Sequence, residues 1–138
     1  MTDQPLSRML LECFRTLDEE TTAALADRGE SDLSPGHASA LLLVDRSGTR
    51  LTELSQRAQV TKQAMMQVVD DLESMGSVRR IPDATDARAK VVKLTAKGLR
   101  QRADARKAIS AVETRARRTL GARRYDALRE TLEILSAS

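Results

Sequence analysis

Apolar residues recur at three- and four-residue spacing near the start of the chain, at Leu6, Met9, Leu10, Cys13, Phe14, Leu17 and Leu25, with acidic residues between them. That period predicts an amphipathic helix from Leu6 to about Arg28. A polar break over Gly29 to Leu33 follows, and then Ser34 and Pro35 supply the N-cap and first-turn residues of a second helix reaching about Arg46. Ser47 and Gly48 end it. Arg50 and Leu51 form a short extended piece, Thr52 caps a third helix through about Ala58, and Thr61 caps a fourth that stops near Gly76. In the fourth helix Ala64, Met65, Val68, Val69 and Leu72 fall on one face, which is the face to bury.

After Gly76 the period changes from helical to alternating. Val78 to Pro82 and Lys90 to Thr95 read as strands, with Val92 and Leu94 on one side and Val91 and Lys93 on the other. The loop between them, DATDARA, is rich in turn residues. Thr95 then caps a long, alanine-rich, charged helix from about Ala96 to Leu120. Gly121 breaks it, and Tyr125, Leu128, Leu132 and Leu135 form an apolar seam on a last short helix. The fold class is therefore mainly α with a small β-hairpin. Two helices, a tight connection and a hairpin are the layout of a winged helix-turn-helix. Terminal helices with apolar faces that cannot bury themselves predict dimerisation. The expected organisation is an N-terminal dimerisation helix over 1–33, a winged helix-turn-helix region over 34–98 and C-terminal dimerisation helices over 99–138, intertwined as one domain.

At 138 residues the chain suffices for one modest core plus an oligomerisation element. Phe14 and Tyr125 are its only aromatic residues apart from the single histidine, and it has no Trp. A single-strand binder that stacks bases on aromatic platforms is thereby disfavoured. No stretch approaches the roughly 20 apolar residues of a membrane helix, and MTDQPLSRMLLECF does not read as a signal peptide; a cytoplasmic protein with no membrane partner is expected. The lone Cys13 excludes an intrachain disulfide.

The net charge of +3 conceals an asymmetry. Residues 1–33 carry eight acidic and three basic side chains, whereas residues 77–107 carry ten basic and three acidic ones. Positive charge thus gathers on and just after the hairpin, where a wing meets phosphates. If Met65, Val68, Val69 and Leu72 face the core, the helical period turns Lys62, Gln63, Met66, Gln67 and Asp70 outward. Gln pairs bidentately with adenine, Lys reaches guanine acceptors or phosphate, and Met suits a thymine methyl. Thr61 and the free amides of the helix start suit a phosphate. Candidate DNA-binding residues at this helix are Thr61, Lys62, Gln63, Met66 and Gln67. An enzyme is not expected: the chain has no phosphate-binding glycine loop, no H-E-x-x-H and no second histidine. One His and one Cys make no metal site, and no cofactor is expected.

Leu54, Ala58, Val60, Leu72, Gly76, Val78 and Arg80, followed by DATDAR at 83–88 and VVKLTAKG at 91–98, resemble the MarR family of transcriptional regulators over roughly residues 33–99. The resemblance implies a homodimeric winged-helix repressor on a pseudo-palindromic double-stranded operator, released by a small aromatic or anionic effector or by an oxidant. It also implies that Arg88 enters the minor groove, where enhanced negative potential attracts guanidinium, and that Arg80 and Asp86 pair to support the wing. Effector pockets of the family lie between the dimer helices and the reading head, which makes Cys13, His37 and Leu41 the candidates here. A redox-sensing branch keeps its reactive cysteine near Cys13 with tyrosines donating to the thiolate, but this chain's only tyrosine is Tyr125, so a buried, inert thiol is expected. Two alternatives remain at this level: a thiol-based redox regulator acting through Cys13, and a winged-helix protein-interaction module that does not bind DNA.

Overall fold

Three helix starts are closed by side-chain caps over their orphan N–H groups. A computed structural model describes residues 3–138 and gives six helices and three strands among them: α1 (Leu6–Asp27), α2 (Pro35–Leu43), β1 (Thr49–Arg50), α3 (Leu51–Ala58), α4 (Lys62–Ser74), β2 (Val78–Pro82), β3 (Lys90–Leu94), α5 (Ala96–Leu120) and α6 (Ala122–Ser136). Ser34 and His37 cap α2 reciprocally, Thr61 Oγ1 accepts from the Ala64 N–H at the start of α4, and Thr95 Oγ1 accepts from the Gly98 N–H at the start of α5. These are the caps expected from sequence.

Two boundaries and one burial assignment differ. Helix α2 stops at Leu43, not near Arg46, because Val44 is extended and a turn closed by Gly48 N–H to Asp45 O leads into β1. Thr52 does not cap α3, since the helix begins two residues earlier than such a cap would place it: Arg50 stands at the N-cap position without a side-chain cap bond and is itself paired in the sheet with Val91. Ala64 is exposed rather than buried, while Met65, Val69 and Leu72 are buried as expected.

The hairpin is part of a three-stranded antiparallel sheet of order β1-β3-β2, in which Thr49 pairs with Val92 and Val78 with Leu94. Val92 and Leu94 turn inward to meet Leu54, Met65, Val69 and Leu72 from the helix pair and Leu25, Ala38, Leu41, Ala105 and Ala108 from the long helices. Small residues on α5 let α1 and α2 pack closely against it. Between α3 and α4 the chain turns through Gln59, whose φ of 55° is left-handed, with Val60 N–H returning to Ser55 O. This closes the turn of the helix-turn-helix.

The segment Leu94 to Gly98 joins hairpin to long helix. Thr95 Oγ1 donates to Gly76 O at 2.6 Å and Lys97 Nζ donates to Met75 O at 2.6 Å, so two carbonyls at the end of α4 are satisfied by the start of α5. Gly98 lies so close to Ser77 that a Cβ would fall 2.0 Å from its carbonyl oxygen. Beneath this contact the Ser77 hydroxyl bonds to Gln101 Oε1, and Gln101 Nε2 donates to Glu30 Oε2 at 3.1 Å. A buried polar chain thus fixes the base of the hairpin to α5 and to the end of α1.

Candidate nucleic-acid interface

Helix α4 owes its orientation to its apolar stripe. With Met65, Val69 and Leu72 in the core, Lys62, Gln63, Met66, Gln67 and Asp70 are all exposed. Thr61 Oγ1 is already occupied as an acceptor by the Ala64 N–H, which leaves its hydroxyl hydrogen and the first amides of the helix to donate outward, as an anion requires.

The second half of the same helix carries Asp70, Asp71 and Glu73, which would repel phosphate if left bare. Each is paired with a side chain from a neighbouring element. Arg80 on β2 donates to Asp70 Oδ1 at 2.6 Å and to Glu73 Oε1 at 2.7 Å, and His37 Nε2 lies 3.0 Å from Asp71 Oδ2. The Asp70 bond, ahead of the Glu73 charge, holds the Arg80 guanidinium above its ordinary range, and the His37 bond holds Asp71 below its own. Arg80 therefore ties the wing strand to α4.

The expected Arg80–Asp86 pair does not form. Arg80 turns toward α4, whereas Asp86 is used within the loop: its Oδ1 accepts from Arg88 N–H at 3.0 Å, with Arg88 Nε at 3.6 Å. The brace across the wing is instead Arg50 with Asp83. Arg50 Nη2 lies 2.6 Å and Nε 2.8 Å from Asp83 Oδ2, while Asp83 Oδ1 accepts from both the N–H and the hydroxyl of Thr85. Thr85 first and Arg50 second hold the Asp83 carboxyl below its usual range. Sequence reasoning missed Asp83 and Arg50; the signal was the first Asp of DATDAR's repeated D-x-x spacing opposite an arginine on a strand. Two successive aspartate turns of this kind leave the Arg88 side chain 94% exposed.

The candidate effector residues do not converge. Leu41 is fully buried in the core, His37 is engaged with Ser34 and Asp71, and Cys13 lies apart on the outer half of α1. The expectation of a buried thiol also fails within the single chain, where Cys13 is exposed beside Leu17, Arg115 and Leu128, because nothing in the chain itself covers the first turns of α1. A different cleft, of about 640 Å³, is lined by Arg28 at the end of α1 and by Arg106, Lys107, Ser110, Thr114, Arg115 and Arg118 along α5. No group of three or more metal-ligating side chains occurs among the described residues. None of their helices is long and apolar enough to cross a membrane.

Residues 31–89, which contain the helix-turn-helix and most of the wing, match the model of the MarR family. The HTH-type transcriptional repressor Rv2887 of Mycobacterium tuberculosis is 34% identical over 105 residues, covering 75% of this chain and 74% of that protein. Its structure in complex with salicylic acid superposes with a TM-score of 0.72 at 30% identity over 96% of this chain and 97% of that one. The repressor CouR, known from Rhodococcus jostii RHA1 and solved on a 23-mer DNA duplex, superposes with a TM-score of 0.84 at 27% identity over 96% of this chain and 92% of that one. Sequence, architecture and the exposed reading face agree: the chain belongs to the MarR family of winged helix-turn-helix transcriptional regulators.

Proposed function

We propose that the protein is a cytoplasmic, homodimeric repressor that reads a pseudo-palindromic operator with α4 in the major groove and Arg88 of each wing in the minor groove. The observation that carries this reading is the exposure of Lys62, Gln63, Met66 and Gln67 on α4 together with an outstretched Arg88. DNA bound to the similar repressor CouR supports it. Dimerisation is supported by two apolar surfaces that the single chain leaves open: Leu6, Leu10, Phe14 and Leu17 on α1, and Leu128, Leu132 and Leu135 on α6. Large exposed apolar patches of this kind mark association surfaces. Two copies of one reading head then require two half-sites about one helical turn apart.

The effector is a small aromatic anion. Salicylic acid bound to Rv2887 supports the class, and the basic cleft between the end of α1 and α5 supplies the complementary charge. An anion there would draw Arg28 toward Arg106 and Lys107, altering how α5 carries the reading head relative to the dimer helices. No residue set supports catalysis, and the similar proteins are regulators.

Fluorescence anisotropy with a duplex carrying the inverted repeat from the protein's own promoter tests this reading. Raising salt should weaken binding steeply, each phosphate contact adding about −0.9 to the log-log slope, and sedimentation should give a dimer at micromolar concentration. A shallow slope or a monomer refutes it. Salicylate should release the duplex from the wild type and do so less well from Arg106→Ala.

A further inference from the structure

His37 holds two jobs at once. As third residue of α2 it completes the reciprocal cap, its N–H donating to Ser34 Oγ at 3.1 Å and its Nδ1 accepting from Ser34 N–H at 3.0 Å. A ring nitrogen that accepts carries no proton, so the neutral ring bears its proton on Nε2. That proton is donated to Asp71 Oδ2 at 3.0 Å, across from α2 to the reading helix. The other carboxylate oxygen, Oδ1, accepts from Gln67 Nε2 at 3.0 Å. A carboxylate only accepts, so the Gln67 carboxamide must turn its NH2 toward Asp71. Backbone cap, imidazole, carboxylate and carboxamide thus form one chain with a fixed sense, and the His37 side chain at its inner end is only 14% exposed.

We propose that His37 and Asp71 are positioning residues that set the sequence specificity of α4 by fixing the polarity of the Gln67 carboxamide. The inference rests on the reading of α4 as the groove helix. With one N–H held by Asp71, Gln67 offers the groove its Oε1 and one remaining N–H in a set order. That pair matches adenine, which presents an N6–H donor beside the N7 acceptor. A free glutamine could present either order and would pay rotamer entropy to choose.

Asp71→Asn makes the sharpest test because the cap dictates the outcome. His37 still needs its proton on Nε2, so the new side-chain oxygen faces His37 and the new NH2 faces Gln67. Gln67 must then flip its oxygen inward and present two donors, the pattern suited to the O6 and N7 acceptors of guanine. His37→Gln provides an independent variant, since Gln at the third position keeps a reciprocal cap while the imidazole N–H to Asp71 is lost.

The experiment selects preferred duplexes for the full-length protein from a randomised pool. Affinity is then measured for all four base pairs at each half-site position, alongside the melting midpoint of each variant. Gln67→Ala should flatten preference at one position by about fivefold or more, the low end of what a bidentate contact discriminates. At that same position Asp71→Asn should shift preference from adenine toward guanine, and His37→Gln should reduce the adenine preference. Should Gln67→Ala flatten no position, Gln67 does not read a base and the proposal falls with that part of the functional reading. If Gln67→Ala flattens one position while both other variants keep the wild-type preference there, the brace alone is refuted. Uniform weakening at all positions with a lowered melting midpoint would likewise reduce His37 and Asp71 to structural residues and overturn it.

Discussion

Arg88 and Gly98 mark the two ends of what one residue does here. Arg88 stands on a turn made by Asp86 and extends into solvent, so its side chain contributes little to folding, and in the proposed reading it acts in a bound groove. Arg88→Ala should leave the melting midpoint unchanged, weaken operator affinity and reduce the salt slope by about 1 per protomer. Titrations at three salt concentrations check this. An unchanged slope would remove Arg88 from the interface. Gly98 is the opposite case. Its missing side chain lets α5 start against the Ser77 carbonyl, and a Cβ 2.0 Å from that oxygen cannot be accommodated without moving backbone. Gly98→Ala should therefore destabilise the protein by about 1–3 kcal/mol, the usual cost of overpacking, seen as a drop in the urea midpoint. A stability equal to wild type would mean that the L-T-A-K-G segment tolerates a shift that its hydrogen bonds do not suggest.

At the level of elements, the wing is held from two sides that have different consequences. Arg80 fastens β2 to α4 through Asp70 and Glu73, while Arg50 fastens the wing loop to β1 through Asp83. The second brace bears on the loop that carries Arg88. Asp83→Ala removes the acceptor for Arg50 and for the Thr85 N–H together, so it should loosen residues 83–89, weaken operator binding and leave the helical core intact. Hydrogen exchange at the loop amides and the far-ultraviolet helix signal, measured on one sample, check both halves. Protection equal to wild type in the loop would count against the brace. Arg50→Ala should give the same change in affinity, and the double variant little more than either single one, because coupled partners are not additive.

Over the whole molecule the depressed carboxyls act together. Asp45, Asp71 and Asp83 are all held below their ordinary value of 3.8, by Arg57, by His37 and by Thr85 with Arg50 respectively, whereas burial raises Asp18. A carboxyl whose folded pKa lies below its unfolded one adds stability that is fully present above the unfolded pKa. That stability is lost as pH falls through the folded value. Three such groups against one of opposite sense predict a urea midpoint that falls between pH 5 and pH 3. Asp83→Asn should make the fall shallower. A midpoint that rises on acidification, or an unchanged pH dependence in Asp83→Asn, would show that the linkage runs through other groups.

Periodicity alone determined the order of elements. The caps Ser34, Thr61 and Thr95, the buried face of α4 and the two strands were legible because each depends on neighbours within about four positions. The family was legible for the same reason, since its motif lies in one continuous stretch. Tertiary structure decided everything that joins distant residues. It sent Arg80 to α4 instead of Asp86, brought Arg50 on β1 to Asp83, and added β1 to the hairpin as a third strand. It also buried Leu41, engaged His37 with Asp71 and left Cys13 apart, so the three residues proposed for one pocket never meet. The physical reason is reach: charge and size in a sequence say which partners a side chain could take, but only the packing of α2, α4 and the sheet brings one of them within 3 Å.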